Sequence, residues 1–495
     1  MTTPPDPPTE IELPDDVPTL QALVRELLAT VATLQEQVRV LTEQVHRNSG
    51  NSSRPPSSDP PWRQRPQKPP SGRKRGGQKG HPGTHRQLLP AAAVNQVVVV
   101  APPACDHCGA AFAAELPRRR KFRRWQCVEL PPIQPEVTEY QLLARRCTGC
   151  SRRTWARLPP GVSRRCVGPR VQALAALLAG ACRLSRRQVQ SLLADLCGIR
   201  ISLGTLVALE ADTSQALGPA YQELAAAVPQ ATVLGVDETS WREAGSLHWR
   251  WTAVTRQFAF YRVDRHRSRA AFAALLGAAE TEGGEPPPGP VITSDRYSAY
   301  GHLPPERRSL CWAHLARDFR AAQDRGGIDT VVGRWVLELL GKILVPWRQQ
   351  RLGELTREQL LAAVAPHQDT LRTPLRWGSA RGTRALQALC TDLLARWESL
   401  WTWLHVEDGE PTNNAAERAL RAAVLWRKNS FGHQSEAGEQ FVERMLTTVN
   451  TLRLQHRNLW DYLVQTCEGV TCGRPAPSLL PQAPASQETP PVGAS

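Results

Sequence analysis

The chain has 495 residues, 41% of them apolar, and carries a formal charge of +15 from 61 lysines and arginines against 46 acids. That length holds two to four domains with buried cores, and a cationic surplus rich in arginine, whose forked guanidinium matches phosphate, points to a polyanion such as DNA. No apolar run in the sequence approaches a bilayer span, and the acidic start MTTPPDPPTEIELPDD lacks the regions of a signal peptide, which excludes a membrane partner and suggests a cytoplasmic, nucleoid-associated protein with reduced cysteines.

Residues 1–19 read as disordered. From 20 to 46, Val24, Val31, Val38 and Val45 alternate with Leu27, Leu34 and Leu41 at a/d spacing. β-Branched residues at a with leucine at d favour a two-stranded parallel coil, so a leucine zipper joining a homodimer or higher oligomer is expected; one amphipathic helix on a core is the alternative. Residues 47–90 are rich in Ser, Pro, Gly, Arg and Lys and read as a disordered basic linker. Its Arg73, Lys74, Arg75 and Lys79 suit a phosphate backbone, although such a charge run also serves as a solvated tether.

Between 91 and 160 stand Cys105-Asp-His-Cys108 and Cys147-Thr-Gly-Cys150, each in a glycine-flanked turn. Two such knuckles bracketing a strand-rich stretch suit one structural Zn²⁺ in a zinc-ribbon-like domain, with Cys127 a spare thiol and His107 a turn residue. Arginines interleaved with aromatics in RRRKFRRW (118–125) suit nucleic acid or a solvated hairpin equally. Residues 161–228 read as helical. Within them a helix carrying Arg186 and Arg187, a turn at Gly198 and a second helix opened by Ser202 have the layout of a DNA-binding helix-turn-helix, a pattern shared by packed helical hairpins.

From 229 to 465 the pattern is strand, strand, strand, helix, strand, with Asp237 ending one apolar run (ATVLGVD) and Asp295 another (PVITSD). If the first and fourth strands are parallel neighbours, as a ribonuclease-H-like sheet requires, these carboxylates converge and need divalent cations to offset their repulsion. A third carboxylate allows a two-metal site. Glu417 in PTNNAAERALR is the candidate, and it has a bland rival role: Asn414 as helix cap, Glu417 three residues on as its capping-box acid, and Arg421 as its i,i+4 partner. Arg418, Arg421, Arg427 and Lys428 stand nearby as contacts for the scissile strand. His314, in CWAHLARDF, reads as a residue of a strand-to-helix junction beside the site; Cys311 and His314 have metal-ligand spacing but no second pair. A proline-rich tail follows, 466–495.

NSSRPPSSD, RGGQKGHPGTHRQLLP, the two CxxC pairs, VDET, SDRYSAY, CWAHLARDF, and NNAAERALR with RKNSFG occur in an order that resembles the transposases of insertion-sequence family 66, DDE-type bacterial enzymes. The resemblance implies a multidomain α+β protein: an N-terminal coiled coil, a zinc-binding module, and a ribonuclease-H-like α/β catalytic domain with a helical insertion at about 321–406. It further implies that Asp237, Asp295 and Glu417 bind two Mg²⁺ for DNA cleavage and strand transfer, with accessory proteins of the same element as further partners. A non-catalytic, dimeric, zinc-containing DNA-binding protein is the alternative of a different class; a structure-selective nuclease of the same fold is a third.

Overall fold

The computed structural model describes residues 16–52, 59, 87–113, 123–277 and 289–481. Two units separate: Met1–Pro60 together with Val137–Ser495, and Pro61–Glu136. The linker cations Arg73, Lys74, Arg75 and Lys79 lie outside the described residues.

Helix α1 runs Val17–His46. Asp16 caps it, accepting from the Thr19 amide at 2.8 Å. The whole valine/leucine seam from Val24 to Val45 is exposed in the single chain. By length and composition Val17–Thr42 is also long and apolar enough to cross a membrane, contrary to the sequence reading, although Arg25, Glu26, Glu36 and Arg39 punctuate it. The linker does not begin directly after α1. Ser49 bonds Asp59 through its amide (2.8 Å) and hydroxyl (2.5 Å), and Asn51 donates to Asp324 at 3.0 Å, so the NSGN turn is tied to the larger unit.

The smaller unit contains no strand among its described residues, only a 3-10 turn at Ala91–Ala93 and a bridge between Ala104 and Ala111. Among these described residues no strand-rich ribbon is seen, and residues 114–122 of the expected ribbon lie outside them. Among the described residues Val97 to Val100, Val128 and Leu130 are exposed, so these side chains form no core that would hold strands together. In the larger unit β1 (Ala144–Arg146) and β2 (Arg153–Trp155) form a short antiparallel hairpin that brackets Cys147 and Cys150.

Helix α2 (Pro169–Ala176) continues through a π turn (Leu177–Ala181), and α3 (Arg186–Cys197) and α4 (Leu203–Ala227) follow. Ser185 and Gln188 form a full capping box on α3, which stops at Gly198 with φ 66, and Ser202 caps α4. The expected helix-turn-helix boundaries are reproduced. Much of α4 is nevertheless core: Leu206, Leu209, Leu217 and Leu224 are buried.

Strands β3 (Val233–Glu243), β4 (Ser246–Val254) and β5 (Ala259–Asp264), helix α5 (Arg269–Leu275), and strands β6 (Val291–Ser294) and β7 (Arg308–Leu310) form one sheet in the order β5-β4-β3-β6-β7. The first three are antiparallel neighbours; β6 lies parallel to β3, as expected, and β7 parallel to β6. Three residues are too few to show a period of two, which hides β7 in the sequence.

Five helices follow β7: α6 (Trp312–Arg325), α7 (Gly327–Arg351), α8 (Arg357–Arg381), α9 (Arg384–Ala395) and α10 (Thr402–His405). They share their own core, built on Trp312, Phe319, Val332, Leu375, Leu393 and Trp403. The expected insertion at 321–406 is thus a second core that begins earlier, at Trp312. Helices α11 (Asn414–Ser430), α12 (Glu436–Leu454) and α13 (Leu459–Thr471) return to the sheet, and α12 packs on α4 and β5.

Part of the segment expected as tail is ordered. Helix α13 passes through 466, and the segment after it is pinned: Tyr462 donates to the Pro477 carbonyl (2.7 Å), Gln455 to that of Leu479 (2.8 Å), and Leu479 is 0% exposed. Proline-rich composition misled because such a segment can fold by docking one apolar side chain into a core made by others. Leu479→Ala should lower unfolding stability by about 2–4 kcal/mol, measured by urea denaturation. An unchanged midpoint would return this segment to the tail.

Candidate active site

Strand β3 places the first carboxylate. Leu234, Val236 and Glu238 are buried on one face, so the period of two puts Gly235 and Asp237 on the other. Helix α11 packs on that second face. A Cβ at Gly235 would stand 2.6 Å from Asn413 Oδ1 and 3.5 Å from the Ala416 methyl, so glycine permits this approach. Asn413 is buried; its side-chain amide donates to the Val236 carbonyl (2.7 Å) and its backbone amide faces Cys311 Sγ (3.1 Å).

The parallel register places the second carboxylate. Gly235 pairs with Thr293, and carrying the register two residues further brings Asp237 level with Asp295, one residue past the end of β6. Neighbouring strands lie about 4.8 Å apart. Asp295 Oδ1 accepts from the Tyr297 amide (2.9 Å), and Arg296 binds Asp318 of α6 (2.9 Å) and Asp392 of α9 (3.1 Å), fixing the turn against the helical body.

Glu417 stands one turn into α11. The capping-box reading is corrected here: the cap position is Asn413, whose side chain is committed to β3, and neither Asn414 nor Glu417 closes a box. The expected pairing of Glu417 with Arg421 is absent too. Its carboxylate is held instead by Arg317 Nη2 at 2.9 and 3.1 Å, with His314 Nε2 at 3.5 Å. Arg317 and His314 are one turn apart on α6, so the strand-to-helix junction expected for CWAHLARDF sits beside the site. Burial and the Arg317 charge push the His314 pKa down, against the pull of Glu417.

These acids feel one another. Burial pushes Asp237 well above the usual carboxylate range, and the charges of Glu238, Asp295 and Glu417 push the same way against one hydrogen bond from the Glu238 amide. Glu238, on the opposite face of β3, is neutralised locally by Tyr300 Oη (2.5 Å) and Arg267 (2.5 Å). The donor set is all oxygen, anionic and repulsive, which fits a hard divalent cation. Among the described residues no three potential ligands stand ready-grouped, because Glu417 faces Arg317.

The basic candidates divide. Arg418, Arg421 and Lys428 are exposed on α11, whereas Arg427 is turned to β3, bonding Ser240 O, Ser240 Oγ (2.6 Å) and Thr239 Oγ1 (3.2 Å). Arg186 is likewise committed, to the buried Glu210 of α4 at 2.7 Å, while Arg187 is exposed. Both bonds have one cause: a carbonyl or a buried carboxylate within reach outcompetes solvent for a guanidinium. At the cysteine pairs, the amides of His107 and Cys108 lower the Cys105 pKa, and those of Cys150 and Gly149 lower that of Cys147. Each turn is shaped to stabilise thiolate, which fits zinc.

Sequence reasoning missed Asn413, Arg317 and Glu238. The signals were present as the Asn doublet, the His-x-x-Arg spacing and the second acid of VDET, but none specifies a partner.

Two outcomes follow. Gly235→Ala should force α11 off β3 at a cost of about 1–3 kcal/mol, seen as a lowered thermal midpoint. For Asp237, folding raises proton affinity, so its contribution to stability is full below about pH 4 and is lost as pH rises through the folded value. Asp237→Asn should therefore unfold at a higher temperature than wild type at neutral pH without divalent cations, the gap closing toward pH 4. Equal midpoints at neutral pH would show that this carboxylate is not strained.

Residues 5–87 match a family of unknown function (DUF6444), and residues 166–440 match the family described as Transposase IS66 family. Uncharacterized protein y4qI of Sinorhizobium fredii (strain NBRC 101917 / NGR234) is 26% identical over 200 residues, 38% of this chain; the chain spans 37% of that relative's length. The second family match covers more than half of the 495 residues and contains Asp237, Asp295 and Glu417. The chain belongs to the IS66 family of transposases.

Proposed function

We propose that the protein binds the ends of an insertion sequence and catalyses DNA strand cleavage and strand transfer at Asp237, Asp295 and Glu417. The observation that carries this reading is the register of β3 and β6, which sets two aspartates level on adjacent parallel strands beneath the helix bearing the glutamate. The sheet order β5-β4-β3-β6-β7, with an antiparallel half and a parallel half, supports a ribonuclease-H-like catalytic domain. The separate helical core between β7 and α11 supports an insertion ahead of the glutamate helix.

Two Mg²⁺, when bound, supply activation of an attacking water or 3′-hydroxyl and stabilisation of the leaving oxygen. Asp237 and Asp295 hold the shared edge; Glu417 completes the set when it exchanges Arg317 for cations. Arg317, freed, is available to a phosphate oxygen. Arg421 and Lys428 lie on the exposed side of α11 and steer the strand. Outside this domain, the exposed α1 seam suits a parallel dimer coil, and the turns at Cys105–Cys108 and at Cys147–Cys150 each suit a pair of zinc ligands. Accessory proteins of the same element remain part of this proposal as partners.

With Mg²⁺ and DNA bearing its element's ends, purified protein should nick and join strands; Asp237→Asn and Glu417→Gln should each lower the rate by at least about 1,000-fold while retaining DNA binding. Retained cleavage in either variant removes that residue from the site. The specific pairing of Glu417 with Arg317 favours one second reading, a non-catalytic dimeric zinc-containing DNA-binding protein with its third carboxylate permanently closed. End binding without any Mg²⁺-dependent cleavage would favour it.

A further inference from the structure

The turn after α11 presents an aromatic ring that the site above does not use. Phe431 is 83% exposed, the most exposed phenylalanine among the described residues, and its ring has no aromatic partner there. Its backbone is left-handed, φ 58, where glycine or asparagine is the ordinary helix terminator and a bulky side chain is strained. Folding energy alone does not select phenylalanine at such a position.

The turn carrying it is rigid. The Phe431 amide donates to the Arg427 carbonyl (2.8 Å), and Gly432, with φ 104, lies so close to the Arg242 carbonyl that no Cβ fits. His433 exchanges backbone hydrogen bonds with the β3–β4 hairpin, to Arg242 O (2.9 Å) and from the Ala244 amide (2.7 Å). Its ring accepts from Trp241 Nε1 at 3.1 Å. The phenyl group is thus held out from a fixed platform.

Its surroundings select the ligand. Lys428, Asn429, Ser430, Gln434, Ser435 and Glu436 are exposed on either side of it in the chain, so the patch is polar rather than an apolar protein interface. Along α11, Glu417, Arg421 and Lys428 share one face at i, i+4 and i+11. Glu417 to Phe431 spans roughly 21 Å of helix, or about six nucleotide steps along one strand. A phenyl ring makes no hydrogen bond to phosphate or sugar and acts on nucleic acid by stacking. Base faces are hidden in a duplex. We infer that Phe431 is a stacking platform for an unpaired base in DNA bound along α11, a few nucleotides from the scissile phosphate; this rests on the DNA-acting function proposed above.

The test compares full-length protein on a blunt duplex and a forked duplex of the same sequence with one unpaired arm, by fluorescence anisotropy. Wild type should prefer the fork. Phe431→Ala should weaken fork binding roughly 5- to 100-fold, as loss of one base–aromatic stack does, and leave duplex binding unchanged; Phe431→Trp should retain the preference. Phe431→Gly should unfold at a higher temperature than wild type yet bind the fork as poorly as the alanine variant, separating binding from folding. The inference is overturned if Phe431→Ala binds the fork like wild type, or weakens both DNAs equally. A shift in sedimentation without a change in fork binding would assign the ring to a contact between chains instead. If wild type binds neither DNA, the DNA-acting function falls first and this inference with it.

Discussion

From a position almost closed to solvent, the Asn413 side chain donates to the Val236 carbonyl, and the placement of α11 follows from that bond. It crosses β3 at Gly235, the one point on that face where no side chain intervenes. Two further ties keep the helix along the sheet: Tyr261 Oη to the Ala419 carbonyl (2.7 Å) and Arg427 to Ser240 at the far end. A buried amide without its partner costs about 1–3 kcal/mol. The placement of the Glu417 backbone is therefore a property of the core, and Arg317 orients its carboxylate.

Carboxylates gathered at one sheet edge repel, and the protein manages that repulsion by local cations rather than by separation. Arg267 and Tyr300 neutralise Glu238, Arg296 braces the Asp295 turn against α6 and α9, and Arg317 holds Glu417. Asp237 is buried with one amide and three acidic neighbours, and burial first, then those charges, push its carboxyl well above the ordinary range. Strain concentrated on a single group is a common feature of sites poised for a charged ligand. The helical body contributes through Arg317 and Asp318, both on α6, so the second core is mechanically part of the site.

Elements with a regular period were legible. The apolar runs ending at Asp237 and Asp295 gave the strands and, with one assumption of parallel pairing, the meeting of two aspartates. The capping chemistry of α3 and α4 was equally local, since Ser185, Gln188, Gly198 and Ser202 act within one turn of chain. Failures had the opposite character. The supposed cap at Asn414 and the tail drawn from 466 each depended on a partner outside the local turn.

The sequence by itself determined the repeat of valine and leucine in α1, the alternating strands, the cysteine spacings and the family, because each is written in neighbouring residues. Only the tertiary structure decided what each charge faces. Glu417 lies 100 positions from Arg317 and Asn413 lies 177 from Val236, and no local pattern encodes such pairings. They arise when helices far apart in sequence pack against one sheet, which makes the choice of partner a consequence of packing rather than of spacing.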